Sequence, residues 1–160
     1  MARNKFTRTP SDIFPAGVFE LEVSYTRKAT ARIKLTSSDE VAVFARSLIY
    51  KPGSIQYCER FFVLLLSRSN ECFGFKQISQ GGITATFTDA KLIFQTALLC
   101  HAPQIILLHN HPSGNNSPST ADLSMTKQIK KGGALLEIKV LDHVILTADG
   151  HSSMADAGLM

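Results

Sequence analysis

The chain has 160 residues, of which 44% are hydrophobic and 19% charged, a composition that suits one globular domain and argues against wholesale disorder. No stretch approaches the roughly 18 apolar residues of a membrane span, and the basic N-terminus lacks the apolar core of a secretory signal. The cysteines, Cys58, Cys72 and Cys100, form no CxxC pair and lie beside apolar residues. We therefore expect reduced, buried thiols, a cytoplasmic location and no membrane contact.

The net charge of +4 comes from the N-terminal part of the chain. Residues 1–34 hold seven Lys and Arg against three Asp and Glu, and the remaining ten of each sign cancel. A basic segment of this kind favours contact with phosphates, which predicts weak nucleic-acid binding there. The alternative is that these charges serve only solubility.

Residues 1–36 are predicted to form a separate N-terminal segment of tail and strands. Pro10, Pro15 and Gly17 interrupt the tail. Alternating apolar and polar residues predict a strand over Phe19–Tyr25, with Ala31–Leu35 as its partner.

Residues 37–160 are predicted to form the main domain, an α/β (α+β) fold with helices packed against a mixed sheet. Val41, Phe44, Ala45 and Leu48 recur at helical spacing and indicate a first helix, which Lys51-Pro52-Gly53 ends. The later elements follow from the same rules: strands over Glu59–Leu66 and Glu71–Ile78, a helix over Asp89–Cys100, a core strand over Gln104–Leu108, a helix from Ser119 to about Lys131, a strand over Glu137–Leu146 and a short closing helix over Ser153–Leu159.

The reactive residues are concentrated after the Gln104–Leu108 strand. His109 and His111 are two residues apart, so on an extended chain both side chains point the same way. The following loop is rich in Pro and Gly, and Asp122 then stands in the first turn of a helix capped by Ser119. Two imidazoles and a carboxylate that leave a fourth position for water are typical of a catalytic zinc site.

Each part of this pattern has an ordinary explanation when it stands alone. Ser119-x-x-Asp122 is a common helix cap, and a pair of histidines often lies on a surface. The combination favours the metal site. The water needs a base, and the residues alone leave two carboxylates as candidates, Glu59 at the head of a buried strand and Glu71 beyond a polar hairpin tip.

These residues resemble a known family. His109-x-His111, Ser119 and Asp122 match the motif of JAMM (MPN+) metalloproteases, spacing included. The wider string from His109 to Pro118 and the later run Asp142–Ile145 resemble the RadC-type branch, and the resemblance extends from about residue 37 to residue 160. It implies an MPN/JAB-like mixed β-sheet with flanking helices, of cytidine-deaminase-like architecture.

The resemblance also implies roles for the residues. His109, His111 and Asp122 would bind Zn2+, Ser119 would steady an oxygen of the tetrahedral intermediate or hold the attacking water, and Glu59 would be the general acid/base. The implied reaction is hydrolysis of a peptide or isopeptide amide in an unidentified peptide or protein substrate. Two alternatives remain: a DNA-repair or mobile-element factor with secondary hydrolysis, and a metal-binding module without turnover.

The chain departs from the RadC-type pattern at its start, since Met1–Thr36 does not resemble the helix-hairpin-helix region of longer members. Ser67 and Ala90-Lys91 also differ from the usual residues, but they lie outside the metal motif. Asp142-His143 has two interpretations, a pair that orients a metal ligand or a structural lock on its strand.

Overall fold

The sheet is mixed, and its two central strands deliver the residues of interest. The computed structural model describes residues 32–51, 53–81 and 88–160. The predicted tail, the strand over Phe19–Tyr25 and most of the basic N-terminal segment lie outside them. Within the described residues the elements are β1 (Ile33–Lys34), α1 (Ser38–Phe44) continued by a π-helical turn (Ala45–Ile49), β2 (Arg60–Leu66), β3 (Glu71–Gln80), α2 (Ala90–Leu99), β4 (Gln104–Asn110), α3 (Thr120–Leu135), β5 (Lys139–Leu146) and β6 (His151–Ser153).

The strands are ordered β1-β3-β2-β4-β5-β6. Among the strands of the described residues, β4 and β5 are paired in parallel and the other neighbours are antiparallel. A parallel pair requires a crossover, and α3 supplies it between β4 and β5. The predicted fold class, a mixed sheet with flanking helices, is confirmed.

Both faces of β4 are covered, which explains why all seven of its residues are buried. Ile106 and Leu108 point to the face where α1 packs, in a cluster with Phe62 and Leu64 of β2. Ile105 and Leu107 point to the opposite face, where they meet α2 and α3. Because successive side chains of a strand alternate between faces, the last two residues of β4 also point to opposite faces.

α3 lies close against β5 because Gly133 carries no side chain. A Cβ at Gly133 would collide with the carbonyl oxygen of Ile138, which leads into β5. The same approach gives Gly133 a hydrogen bond from the Ile138 amide, 2.8 Å long. This contact sets the far end of α3, while its first turn lies beside the end of β4.

Three sequence predictions need correction. The predicted closing helix is wrong: Ser153 ends β6 and residues 154–158 form turns, because Asp142 accepts hydrogen bonds from Ser153 Oγ and the Ala155 amide. Leu48, which the helical spacing placed on the same face as the buried Phe44 and Ala45, lies in the π-helical turn and is 58% exposed. β4 continues through Asn110, so His109 is a strand residue and not a loop residue.

Two expectations from composition can be compared with the structure. All three cysteines are free thiols; Cys58 and Cys72 are buried, and Cys100 is half-buried. Of the helices in the described parts of the chain, none has the length and apolarity needed to cross a bilayer.

Candidate metal centre

The predicted metal ligands come together where β4 ends and α3 begins. His109 is the sixth residue of β4, and His111 directly follows the strand. Asp122 lies in the first turn of α3, which Ser119 caps. The pairing of His109 with Phe61 of β2 and Ile145 of β5 holds this end of β4 on both sides. The two histidines therefore rest on the rigid centre of the sheet.

The three donor atoms face one another at short range. His109 Nε2 and His111 Nε2 are 2.9 Å apart. Asp122 Oδ1 lies 3.3 Å from His109 Nε2, and Asp122 Oδ2 lies 3.5 Å from His111 Nε2. Ligands about 2.0 Å from a tetrahedral zinc ion are separated by about 3.3 Å. The spacing of the set therefore fits such an ion.

Hydrogen bonds around His109 determine which of its nitrogens carries the proton. The Thr126 hydroxyl donates to the Asp122 carbonyl oxygen (2.7 Å), so His143 Nδ1, 2.6 Å from Thr126 Oγ1, must be the donor to that hydroxyl. A neutral His143 then accepts at Nε2 from His109 Nδ1, 2.8 Å away. This leaves the lone pair of His109 Nε2 facing the site.

His111 is oriented in the same sense by a different partner. Its Nδ1 donates to the carbonyl oxygen of Asn115, 2.7 Å away in the loop before α3. Its Nε2 lone pair therefore also faces the site. Two lone pairs 2.9 Å apart repel each other unless a positive charge lies between them, either a metal ion or, in the metal-free protein, a proton on His111 Nε2. The number, kind and orientation of the donors thus fit a bound metal ion, and His109, His111 and Asp122 could hold one.

The electrostatics of the three residues differ because their burial differs. Burial lowers the pKa of His109 to about 4, so this imidazole is neutral at pH 7. The hydrogen bond with Asp122 raises the pKa of His111 despite the opposing effect of burial, and the charge of Glu59 adds to the rise. Burial alone would raise the pKa of Asp122, but His111, His109 and Ser119 outweigh it and hold the carboxyl ionised.

Glu59, the predicted acid/base, stands at the edge of the same site. It directly precedes β2, is half-buried, and lines an open cleft of about 470 Å³ together with Asp122. The starts of α2 and α3 form the other walls, which carry both polar and apolar side chains. The other candidate, Glu71, begins β3 at the opposite end of the sheet, where Arg32 binds it at 2.7 Å. The structure thus brings Glu59, and not Glu71, to the metal ligands.

Ser119 contacts a metal ligand directly. Its hydroxyl donates to Asp122 Oδ2 (2.6 Å) and accepts from the Asp122 amide (3.1 Å), which closes a capping box at the start of α3. The Ser119 amide also donates to Asp122 Oδ2. Asp122 Oδ1 is left toward His109. Ser119 therefore orients the carboxylate, and its catalytic role stays a prediction.

Other contacts at the site were not predicted from the sequence. Thr126, four residues after Asp122, completes the hydrogen-bond chain to His109. Phe61 stacks on the His109 ring, 5.8 Å between centroids, and meets His143 edge-on. The helical spacing of Asp122 and Thr126 was the available signal, because residues four apart share a helix face.

The two interpretations of Asp142-His143 apply to different residues. His143 is fully buried and bonds His109, so it orients a candidate ligand. Asp142 accepts from Ser153 and Ala155, so it holds the turn after β6. His151 begins β6 and its Nε2 lies 3.5 Å from Asp39 Oδ1.

Comparisons with known proteins place the chain in a family. Residues 35–159 match the family model described as "RadC-like JAB domain". A protein of Flavobacterium johnsoniae is 40% identical over 126 residues, which cover 79% of this chain and 53% of that protein. One of Chlorobaculum tepidum is 35% identical over 145 residues, covering 91% and 64%. One of Thermosynechococcus vestitus is 44% identical over 115 residues, covering 72% and 44%.

The names of these relatives, all UPF0758 proteins, state no activity. This chain spans about half the length of the curated relatives from Flavobacterium johnsoniae and Thermosynechococcus vestitus. Their names therefore add a family but no reaction.

Proposed function

The chain belongs to the RadC-like JAB domain family, and on that premise we propose that it is a zinc-dependent hydrolase of the JAMM type. Its reaction is the hydrolysis of a peptide or isopeptide amide bond in a protein or peptide substrate. The observation that carries the proposal is the convergence of His109, His111 and Asp122 beside a cleft that Glu59 also lines.

In this mechanism the zinc ion, when bound, supplies Lewis acidity to water and to the substrate carbonyl. His109, His111 and Asp122 would hold it, and a set of three protein ligands is typical of catalytic zinc sites. The hydrogen bonds that His109 Nδ1 donates to His143 and that His111 Nδ1 donates to the Asn115 carbonyl oxygen keep both imidazoles in the tautomer that presents Nε2. These residues are ordered before substrate arrives, which keeps the cost of reorganisation low.

Glu59 moves the proton. It accepts one proton from the attacking water as the oxygen bonds the carbonyl carbon, and it returns that proton to the leaving amine nitrogen as the C–N bond breaks. Water is thus added across the amide, and Glu59 ends the cycle unchanged. Its place in the cleft and its electrostatic effect on His111 support this role.

The test begins with metal content. Protein purified under metal-replete conditions without chelator is expected to contain about one zinc per chain, and His109→Ala and Asp122→Ala are expected to lose it, because each removes one of three protein ligands. Wild-type protein that holds no transition metal after this purification contradicts the proposal.

The second part separates catalysis from mere metal binding, with a screen of peptide and isopeptide substrates. We expect Glu59→Gln to keep its zinc and to lose activity by about 10²–10⁴-fold, the usual contribution of a general acid/base. Glu71→Gln is the matched control, because Glu71 pairs with Arg32 away from the site, and should keep both. Loss of zinc from Glu59→Gln would make Glu59 a ligand; full activity would place the base elsewhere.

The basic N-terminal segment supports a second candidate, a DNA-associated factor whose hydrolysis is secondary. Its charge excess is the observation that favours it, and five of its seven cations precede the described residues. Contact with nucleic acid therefore stays a prediction, which is tested separately from hydrolysis.

A further inference from the structure

Asn110, the residue between the two metal-binding histidines, has a fully buried side chain that makes four hydrogen bonds. Its Oδ1 accepts from the Arg60 amide (2.9 Å) and from the Tyr50 hydroxyl (3.0 Å). Its Nδ2 donates to the carbonyl oxygens of Ile55 (2.6 Å) and Cys58 (2.9 Å). Each hydrogen-bonding direction of the amide is used, and the residue is 0% exposed.

The alternation of β4 sends this amide away from the metal ligands. His109 points to the face where α2 and α3 pack, and Asn110 points to the face where α1 packs, in line with Ile106 and Leu108. Asn110 therefore does not contact the metal site itself. It contacts the segment that leads from α1 into β2.

That segment carries Glu59. Asn110 bonds the residue before Glu59 through the Cys58 carbonyl and the residue after it through the Arg60 amide. The Glu59 carbonyl accepts from the Gly81 amide at 2.9 Å, so the backbone around Glu59 is held from two sides. The strand that carries His109 thus also holds the residue that faces the metal ligands.

We propose that Asn110 is a positioning residue that sets the place of Glu59 relative to His109 and His111. The inference rests on the proposed function for its catalytic consequence, though its structural part can be measured without turnover. Asparagine suits the task because one short side chain offers two acceptor lone pairs and two N–H donors. An aspartate would turn an acceptor toward the two carbonyl oxygens, and a leucine would leave all four partners unsatisfied.

Gln104 provides a matched control at the other end of the same strand. It too is a buried amide, and its Nε2 donates to the Ser67 carbonyl and to Asn70 Oδ1. It holds the β2–β3 turn, far from Glu59 along the strand. Gln104→Leu therefore removes a buried amide from β4 without touching the Cys58–Arg60 segment.

The first measurement is made on metal-free protein and does not depend on activity. Amide hydrogen exchange at Arg60 should be at least tenfold faster in Asn110→Leu and Asn110→Asp than in Gln104→Leu, because the Arg60 amide loses its acceptor or its geometry. Asn110→Asp keeps the size of the side chain and serves if the leucine variant fails to fold. Arg60 exchange equal to that of the control would overturn the proposal.

The second measurement is steady-state kinetics on a substrate that the wild type cleaves. We expect both Asn110 variants to bind zinc with an affinity within about threefold of wild type and to lose kcat by roughly 10²-fold with little change in KM, since misplacement by about 1 Å can have this effect. Gln104→Leu should keep kcat. Fast Arg60 exchange together with an unchanged kcat would also overturn the proposal. A wild type without activity would overturn the proposed function, and the exchange result alone would then decide whether Asn110 positions the Glu59 backbone.

Discussion

Thr126 shows how one hydroxyl can determine the state of a metal ligand that it does not touch. It donates to the Asp122 carbonyl and accepts from His143, which in turn accepts from His109. If the hydroxyl is absent, His143 Nδ1–H has no acceptor, and the opposite tautomer becomes favourable. His109 would then present an N–H, and not a lone pair, to the metal.

Thr126→Val tests this chain at the scale of one atom. The expected result is a loss of zinc affinity of about 10–100-fold, the usual effect of removing a partner that orients a ligand, measured by competition with a chromophoric chelator. Thr96→Val is the control, because the Thr96 hydroxyl makes the same bond to the carbonyl four residues earlier, also 2.7 Å long, in α2. If both variants lost zinc affinity equally, the loss would come from removing a hydroxyl from any helix and not from the hydrogen bonds between the histidines.

The elements place the site by two rules that can be applied to the sequence. The period of two along β4 puts His109 and His111 on one side, and the capping box puts Asp122 at the start of α3. These rules predicted the three candidate ligands and the helix of Asp122, although the predicted strand ended one residue before His109. Glu59 was placed by the resemblance more than by its position.

The contacts that could not be predicted are those made by strand pairing. His143 meets His109 because the parallel register sets Leu107 opposite His143, and nothing within either strand's own sequence specifies that register. Asn110 reaches Arg60 only because β2 lies antiparallel to β4. The prediction of a closing helix failed because it, too, depends on contacts distant in sequence. Asp142 accepts hydrogen bonds from Ser153 and Ala155, which lie 11 and 13 residues further along the chain.

At the level of the helix, Ser119 has two roles that can be separated. Ser119→Ala is expected to lower the free energy of unfolding by about 1 kcal/mol through loss of the cap. The variant should also bind zinc more weakly and turn over more slowly, because the Ser119 hydroxyl bonds Asp122 Oδ2. If this hydroxyl is also an oxyanion donor, the loss of turnover should reach roughly 10²-fold or more. Ser37→Ala is the control, since Ser37 caps α1 by the same bond to the Glu40 amide.

Urea unfolding, zinc affinity and rate are measured on both variants. Ser37→Ala should lose comparable stability but keep metal and activity. If Ser119→Ala changed only stability, its contact with Asp122 would serve the fold alone.

The whole molecule carries its charge asymmetrically, and this asymmetry makes a testable prediction about nucleic acid. The test variant replaces five cations by Gln: Arg3, Lys5, Arg8, Arg27 and Lys28. It should lose most non-specific DNA binding. The slope of log K against log salt should also become shallower, by up to about 0.9 for each phosphate that the protein no longer neutralises. Lys127, Lys130 and Lys131, a cluster on α3, are changed to Gln as the control. Binding that survives the first change and not the second would place the contact on α3; no binding by wild type would end the DNA hypothesis.

The buried histidines also affect the stability of the whole fold. Burial lowers the pKa of His109 to about 4 and that of His143 well below its ordinary value. Between about pH 6.5 and pH 4, the unfolded chain therefore binds two protons that the metal-free folded protein does not. Asp122 acts at lower pH. Its lowered pKa contributes stability that is present above its ordinary value of 3.8 and is lost as the pH falls below that value. The raised pKa of His111 gives a contribution that is complete below pH 6.5 and lost above it.

We therefore expect the free energy of unfolding of the chelator-treated protein to fall with decreasing pH from 6.5 toward 4. The slope should approach about 1.4 kcal/mol per pH unit for each of the two histidines, because each corresponds to one proton taken up on unfolding. Urea titrations at half-unit pH intervals measure it. His109→Asn should halve the slope by removing one of the two groups. A free energy that stays constant over this range would mean that the two imidazoles are protonated in the folded protein, and the arrangement of lone pairs derived for His109 would then be wrong.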